Sequence, residues 1–376
     1  MRVAGRVVVL CVFVCLVACE RTQRGVAVVQ PTQNERVRSA TIRIVGDVMQ
    51  HLPQIEAART TEGYDYAPCF AEVGEWLSDA DLTIANLETT LRSEAPYSGY
   101  PRFAAPVELA GELAAVGVDV ALLANNHICD RGGEGLRGTV EALDSVGVRH
   151  TGAYSDLVDY ARNNPLMVNV GDFRVAIMNY TYGTNGLPIA SGTYVNLLDT
   201  VRIAADMERA ATADIRLVCL HWGEEYHARP AKAQRELADW LYRKGATVVV
   251  GGHPHVVQPV EVLADKWGRV RGVTFYSLGN YVSNQTAPGT DGGMVATLHF
   301  KQQGRGVLEI SADWDFVWTH RGRQEGRRMY RVLPLEVARE SVKDSTAWRV
   351  ARFERGVSRF RTADTVIVGR GFVRLN

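Results

Sequence analysis

The first thing the sequence lacks is an excess of charge. Its 376 residues carry 42 Lys and Arg against 42 Asp and Glu. A nucleic-acid partner normally leaves a basic footprint, so none is expected. Cysteine is sparse too, at six residues, and three of them (Cys11, Cys15, Cys19) fall in an apolar N-terminal stretch. The others, Cys69, Cys129 and Cys219, are an odd number at wide spacing. That is no disulfide framework, and they read as small buried hydrophobes. Internal repeats and low-complexity tracts are absent. What remains is ordinary globular composition, 46% hydrophobic and 22% charged, long enough for one large or two ordinary domains.

The N-terminus reads as a targeting segment. Arg2 and Arg6 form a positive start, "VVVLCVFVCLVA" forms an apolar core, and the stretch ends in "LVAC", residues 16–19. The run is short for a permanent span and has the layout of a secretory signal. "LVAC" resembles a bacterial lipobox, which implies cleavage after residue 18 and acylation of Cys19. The alternative is a simple signal with a chance cysteine. Residues 19–40 read as a polar tether, and 41–376 as the folded domain. The expected setting is a bacterial cell envelope, periplasmic or surface-facing, with the membrane reached through Cys19.

Along the folded part, runs such as "ATIRIVGDVM", "DLTIANLETTL", "DIRLVCLHWGEEY" and "ATVVVGGHPHVVQ" are strands ending in polar loops. Between them lie helical patterns, "GEGLRGTVEALDSVGV" and "RPAKAQRELADWLYRKG" among them. Strand–helix alternation predicts an α/β core with largely parallel strands. From about Met294 the pattern changes to short alternating strands, "MVATLHF", "VLEISADWDFVW" and "YRVLPLEV", followed by a helix in "STAWRVARFERGVSRF".

The polar residues at the strand exits are not scattered. Asp47, Glu88, Asn126, His127, His221, His253 and His255 each follow a buried apolar run. Ligands bind at the carboxyl ends of strands in open α/β sheets, so these residues are expected in one crevice. Each alone has a bland reading: Asp47 as a helix cap, His221 as a satisfied core histidine. Together they supply carboxylate, amide oxygen and imidazole without thiolate, which suits Mn, Fe, Zn, Co or Ni. One or two such ions would polarise a phosphoryl group and generate hydroxide, with a nearby histidine protonating the leaving group.

In order, "GDVM", "NLETTL", "ANNHICDRG", "NYTYGTNG", "HWGEEY", "GGHPHVVQ" and "SLGNYVSNQ" resemble the blocks of the CapA family of poly-γ-glutamate capsule biosynthesis proteins. That family lies within the calcineurin-like metallophosphoesterases. The resemblance covers about residues 42–300. It implies a four-layer α/β/β/α metallophosphoesterase-like sandwich, here with a C-terminal β-rich extension over 301–376. It also implies Asp47, Glu88, Asn126, His221, His253 and His255 as metal ligands and His127 as the leaving-group acid. An anionic polymer or phosphorylated substrate, and other capsule-synthesis proteins, are the implied partners. The implied activity is metal-dependent hydrolysis. The alternative is a non-catalytic scaffold that holds or exports an anionic polymer.

Two departures bear on that choice. Met49 stands where general metallophosphoesterases carry a histidine, and a thioether is a poor ligand for a hard ion. His51 is a candidate for the missing imidazole, or a solvent-facing loop residue. Glu88 is one methylene longer than an aspartate. Further candidates for substrate contact are Arg102, which can fork onto a carboxylate or phosphate, and Tyr182 and Asn185 at a strand exit. Trp222 and Tyr226 either wall the site or simply pack, and Glu224 and Glu225 are either partners of a ligating histidine or solvated charges.

Overall fold

A computed structural model describes residues 36–360 and the backbone of 367–369. The signal segment, Cys19 and residues 19–35 lie outside the described residues.

Two sheets form the core. In the first, the strands Val37–Val48, Leu82–Leu87, Val120–Leu122 and Arg149–Thr151 run parallel in that spatial order. Three antiparallel strands, Gly292–Gln303, Glu309–Gln324 and Arg327–Pro334, continue the sheet from the other side of Val37–Val48. In the second sheet, Phe173–Thr181, Ile215–His221, Val248–Gly252 and Val270–Phe275 are parallel. Leu166–Val170 and Val260–Ala264 are antiparallel neighbours near its edges.

The apolar residues divide into three clusters, one for each interface between layers. Ile42, Ile44 and Ile84 of the first sheet pack against Ile177, Leu217, Cys219 and Val250 of the second. Val45, Ala85 and Ala121, on the opposite face of the first sheet, meet Leu109, Leu113, Leu136 and Val140, which lie on the helices Glu108–Ala115 and Gly132–Ser145. Met178, Val218, Leu220 and Val249 meet Ile203, Met207, Ala238 and Leu241, from the helices Thr200–Arg209 and Lys232–Arg243. Neighbouring residues such as Leu217 and Val218 thus face different layers, as the period of two demands. A strand buried on both faces reads as a continuous apolar run. The result is the four-layer α/β/β/α sandwich. Cys69, Cys129 and Cys219 are buried free thiols.

Three sequence expectations are corrected here. The tether read to residue 40 stops earlier, because Val37 to Ala40 already pair with Gln303 to Phe300. The strands past Met294 are long, 12 and 16 residues for the first two; the second pairs with Gly292–Gln303 over its first part and with Arg327–Pro334 over its last. "YRVLPLEV" is split at Pro334: the strand ends there and the helix Leu335–Ser341 begins. This C-terminal part sends Leu335, Ala338, Val350 and Phe353 into the cluster between the sheets, so it completes the core.

Candidate metal centre

The parallel strands of both sheets end at one pole. Asp47 closes the first strand, and Asn86 lies opposite it in register on the second. His221 closes Ile215–His221 beside Gly252. Two glycines allow close contacts at this pole. A Cβ on Gly46 would overlap the carbonyl of Gly279, and one on Gly252 would sit 2.7 Å from Asp47 Oδ1. Past Gly252 the chain turns through two non-glycine residues in the left-handed region, His253 at φ 94° and His255 at φ 57°. Such strain persists where the surroundings over-determine it, and it clusters at functional sites.

Asp47 is the hub. Its Oδ1 accepts from Asn86 Nδ2 at 2.7 Å and its Oδ2 from the His253 backbone N–H at 3.3 Å. His255 Nδ1 lies 3.2 Å from Asp47 Oδ2 and 3.1 Å from Asn280 Oδ1. Two acceptor oxygens place the proton on Nδ1, which leaves the Nε2 lone pair on the side of Glu88 (3.8 Å) and Glu225 (4.0 Å). His221 Nε2 donates to Asn126 Oδ1 at 2.9 Å across the two sheets, 3.6 Å from Glu88 Oε1. Its Nδ1 accepts from Asn86 Nδ2 at 3.3 Å.

Glu88 is the unbalanced member. It is fully buried, and neither carboxylate oxygen has a hydrogen-bond partner. Nδ1 of His253 is likewise buried without one. Buried polar groups are otherwise almost always paired. Burial first, and Asp47, Glu225 and Asp130 after it, push the Glu88 carboxyl well above its usual range. Burial, then His253 and His255, drive His221 well below the usual imidazole value. Burial and His255 drive His253 down to about 3. A divalent cation reverses the preference of the carboxylate and uses neutral imidazole lone pairs. Donor atoms of Asp47, Glu88 and His255 lie within 4.8 Å of one another, as do those of Glu225, His253 and His255. The donor chemistry therefore fits a borderline or hard divalent ion, and His255 stands in both groups.

His127 sits beside this centre, buried. Its Nδ1–H donates to Asp130 Oδ2 at 2.8 Å, and Phe103 N–H donates to the same oxygen at 2.7 Å. Its backbone N–H is held by Asn125 Oδ1 at 3.1 Å. Asp130 fixes the ring and its tautomer, leaving Nε2 as the atom that takes or gives a proton.

The remaining candidates divide. Tyr182 is half-exposed, its ring 4.5 Å from that of His253. Asn185 Oδ1 accepts from Asn126 Nδ2 at 3.2 Å and Tyr182 Oη at 3.3 Å. Tyr226 lies 6.1 Å ring to ring from His255. Glu225 joins the donor cluster itself, a nearer role than holding a histidine from behind. Glu224 pairs with His227 at the surface. Trp222 is no wall: it is buried in the core, its Nε1 donating to the Tyr276 carbonyl at 3.0 Å. His51 stands outside both donor groups. It occupies the N-cap position of the helix Leu52–Ala58, its Nδ1 3.2 Å from Gln54 Oε1 and 3.3 Å from Asn284 N. Its ring meets the edge of Phe103, which meets the edge of His127. Arg102 is not drawn in: it is exposed, and its carbonyl, rather than its guanidinium, is bonded, by Ser98 Oγ and Arg131.

Sequence reasoning missed Asn86, Asn125, Asp130 and Asn280. Asn86 carried a usable signal, since it shares a strand face with Glu88 at period two. Asp130 carried the His-x-x-Asp spacing of one helical turn.

Comparison with known proteins adds the following. The family described as "Bacterial capsule synthesis protein PGA_cap" matches residues 41–285. The chain is 30% identical over 314 residues to the capsule biosynthesis protein CapA of Bacillus anthracis, covering 79% of this chain and 72% of that one. It is 31% identical over 231 residues to the PGA biosynthesis protein CapA of Bacillus subtilis (strain 168), covering 60% of this chain and 58% of that one. Among solved structures, a 5'-nucleotidase from Candida albicans SC5314 aligns with a TM-score of 0.39 and 11% identity, over 86% of this chain and 56% of that one.

Proposed function

The chain belongs to the bacterial capsule synthesis protein family PGA_cap, and from that membership we propose that it is a metal-dependent hydrolase of the phosphoesterase kind serving the production of poly-γ-glutamate or a related anionic surface polymer. The observation that carries the reading is Glu88, a fully buried carboxylate with both oxygens unpartnered beside His221, His255 and Asp47. An uncompensated buried carboxylate is costly, and a cation is the partner its neighbours are equipped to share.

Asp47, Glu88, His255, His253 and Glu225 would hold the ion, with His221 and Asn126 alongside. A bound divalent ion supplies Lewis acidity and a water of lowered pKa. The chain's own part is orientation and proton handling. Asp130 holds His127 so that Nε2 carries the proton for a departing oxygen. Tyr182 and Asn185 border the centre where a substrate would lie, and the half-exposed Glu225 closes the side toward Tyr226.

The same proposal holds the protein in the cell envelope by acylated Cys19, periplasmic or surface-facing, where an anionic polymer and other capsule-synthesis proteins would be within reach. Replacing Cys19 with Ser should release it from membranes.

The test of the activity is metal content together with hydrolysis of a panel of phosphomonoesters, phosphodiesters and γ-glutamyl peptides. Bound metal and turnover of one class support the hydrolase. Bound metal with no turnover anywhere supports a scaffold that holds or exports an anionic polymer. Met49 favours that second reading, since a buried thioether stands where the wider superfamily would supply an imidazole.

A further inference from the structure

The pole opposite the metal centre carries a surface that this function does not use. Val37 and Asp47 stand at opposite ends of one strand, about 33 Å apart at ~3.3 Å per residue. At the Val37 end two hairpin turns project side by side. One joins Val260–Ala264 to Val270–Phe275, and the other joins Gly292–Gln303 to Glu309–Gln324. A shared groove between them is lined by Arg269, Val270, Arg305, Val307 and the exposed Glu309.

The first turn presents Trp267, 61% exposed, with Lys266 Nζ 4.4 Å and Arg269 Cζ 5.7 Å from its ring. The turn is firmly built. Asp265 accepts from the backbone N–H of Trp267 at 2.9 Å and of Arg269 at 3.0 Å, and from Arg271 Nε at 3.1 Å. The Asp265 carboxylate is therefore spent inside the turn. The second turn presents Val307, 46% exposed, and the exposed Arg305. Against these cations stands Glu309 at the edge of the second turn, so Lys266, Arg269 and Arg305 leave the face net positive. An exposed tryptophan flanked by cations is the composition found at the interface of a bilayer, where the indole sits at headgroup level and cations meet anionic lipid.

The chain's own course points to the same face. The carbonyl of Arg36, the first described residue, accepts from Gly304 N in the second turn at 2.8 Å. The described chain therefore begins at this pole.

We infer that the Trp267 and Val307 turns form a docking face for an anionic lipid surface, which holds the metal centre pointing away from the membrane. This goes beyond the proposed hydrolase and stands whether or not Cys19 is acylated.

The test uses the full chain with vesicles whose lipids carry bromine near the headgroup, of phosphatidylcholine alone or mixed with phosphatidylglycerol. The quenching lost in Trp267→Phe isolates the Trp267 contribution. Trp348, also 60% exposed but on the helix bonded to Asp291, is the control. Quenching of Trp267 in the phosphatidylglycerol vesicles, weakened by salt, and unchanged in Trp348→Phe, is expected. In the Lys266→Gln/Arg269→Gln/Arg305→Gln chain, the apparent affinity of this Trp267 contact should fall on the order of 100-fold. Full quenching retained by Trp267→Phe, or equal quenching in both lipid mixtures, would overturn the inference. So would an arginine- and lysine-free face that docks as well as the original.

Discussion

Asn86 Nδ2 donates to Asp47 Oδ1 at 2.7 Å and also reaches His221 Nδ1 at 3.3 Å. One amide thus ties the end of a strand in the first sheet to its neighbour and to the end of a strand in the second. Groups that orient metal ligands typically contribute 10–100-fold to affinity. Asn86→Ala should weaken metal binding by about that factor with the thermal transition little changed. Titration with metal after chelation measures it, and unaltered affinity would remove Asn86 from the centre.

Glu88 makes a prediction about pH. Its folded carboxyl titrates well above the ordinary value of 4.5 because it is buried beside Asp47. Above pH 4.5 the unfolded chain has lost this proton while the folded, metal-free chain keeps it. The folded state therefore binds more protons, and stability falls as pH rises through the interval up to the folded pKa. In chelator, Glu88→Gln should remove that fall and raise the melting temperature at neutral pH, while abolishing metal binding. A variant that melts lower in chelator at neutral pH would show that the carboxylate was not a burden.

His127 should separate two classes of leaving group. If its Nε2 supplies the proton, His127→Ala loses about 10²–10⁴-fold on substrates with alkoxide leaving groups and far less on nitrophenyl esters. Metal content should stay at the level of the unaltered protein, whereas His253→Ala should lose metal. Equal losses on both substrates together with lost metal would make His127 a ligand.

Asp291 is a structural test. Its fully buried carboxylate accepts from Arg321 at 3.1 Å and Arg352 at 2.7 Å, and from Arg349. Burial, and Arg349 beside it, hold Arg321 down at about 10. Removing one partner of a buried ionic set typically costs 3–5 kcal/mol. Asp291→Asn leaves three guanidinium groups together without a counter-charge and should lose about that much, read from urea unfolding. The helix Ala347–Val357, which carries Arg349 and Arg352, should be the part that exchanges its amides fastest.

The local chain determined a good deal by itself. Continuous apolar runs marked the central strands, and a polar residue after each run marked Asp47, Glu88, His221, His253 and His255, because a strand buried on both faces can expose chemistry only where it ends. Helical periodicity placed Gly132–Ser145 and Lys232–Arg243 for the same local reason. Only the tertiary structure decided which strand ends meet. Asn126 and His221 are 95 residues apart and bond across the crevice, a consequence of stacking two sheets that neither segment encodes alone. Asn280 looks like an ordinary amide until the fold brings the His255 ring against it, and Asn125 until it bridges Asn86 and the backbone of His127. His51 and Arg102 carry suitable chemistry, but the fold commits one to a helix cap and Asn284 and leaves the other in solvent. The opposite pole follows the same rule: "DKWGRVR" is an unremarkable turn in sequence, and becomes a face only because the packing of the two sheets sets it beside Arg305 and Val307.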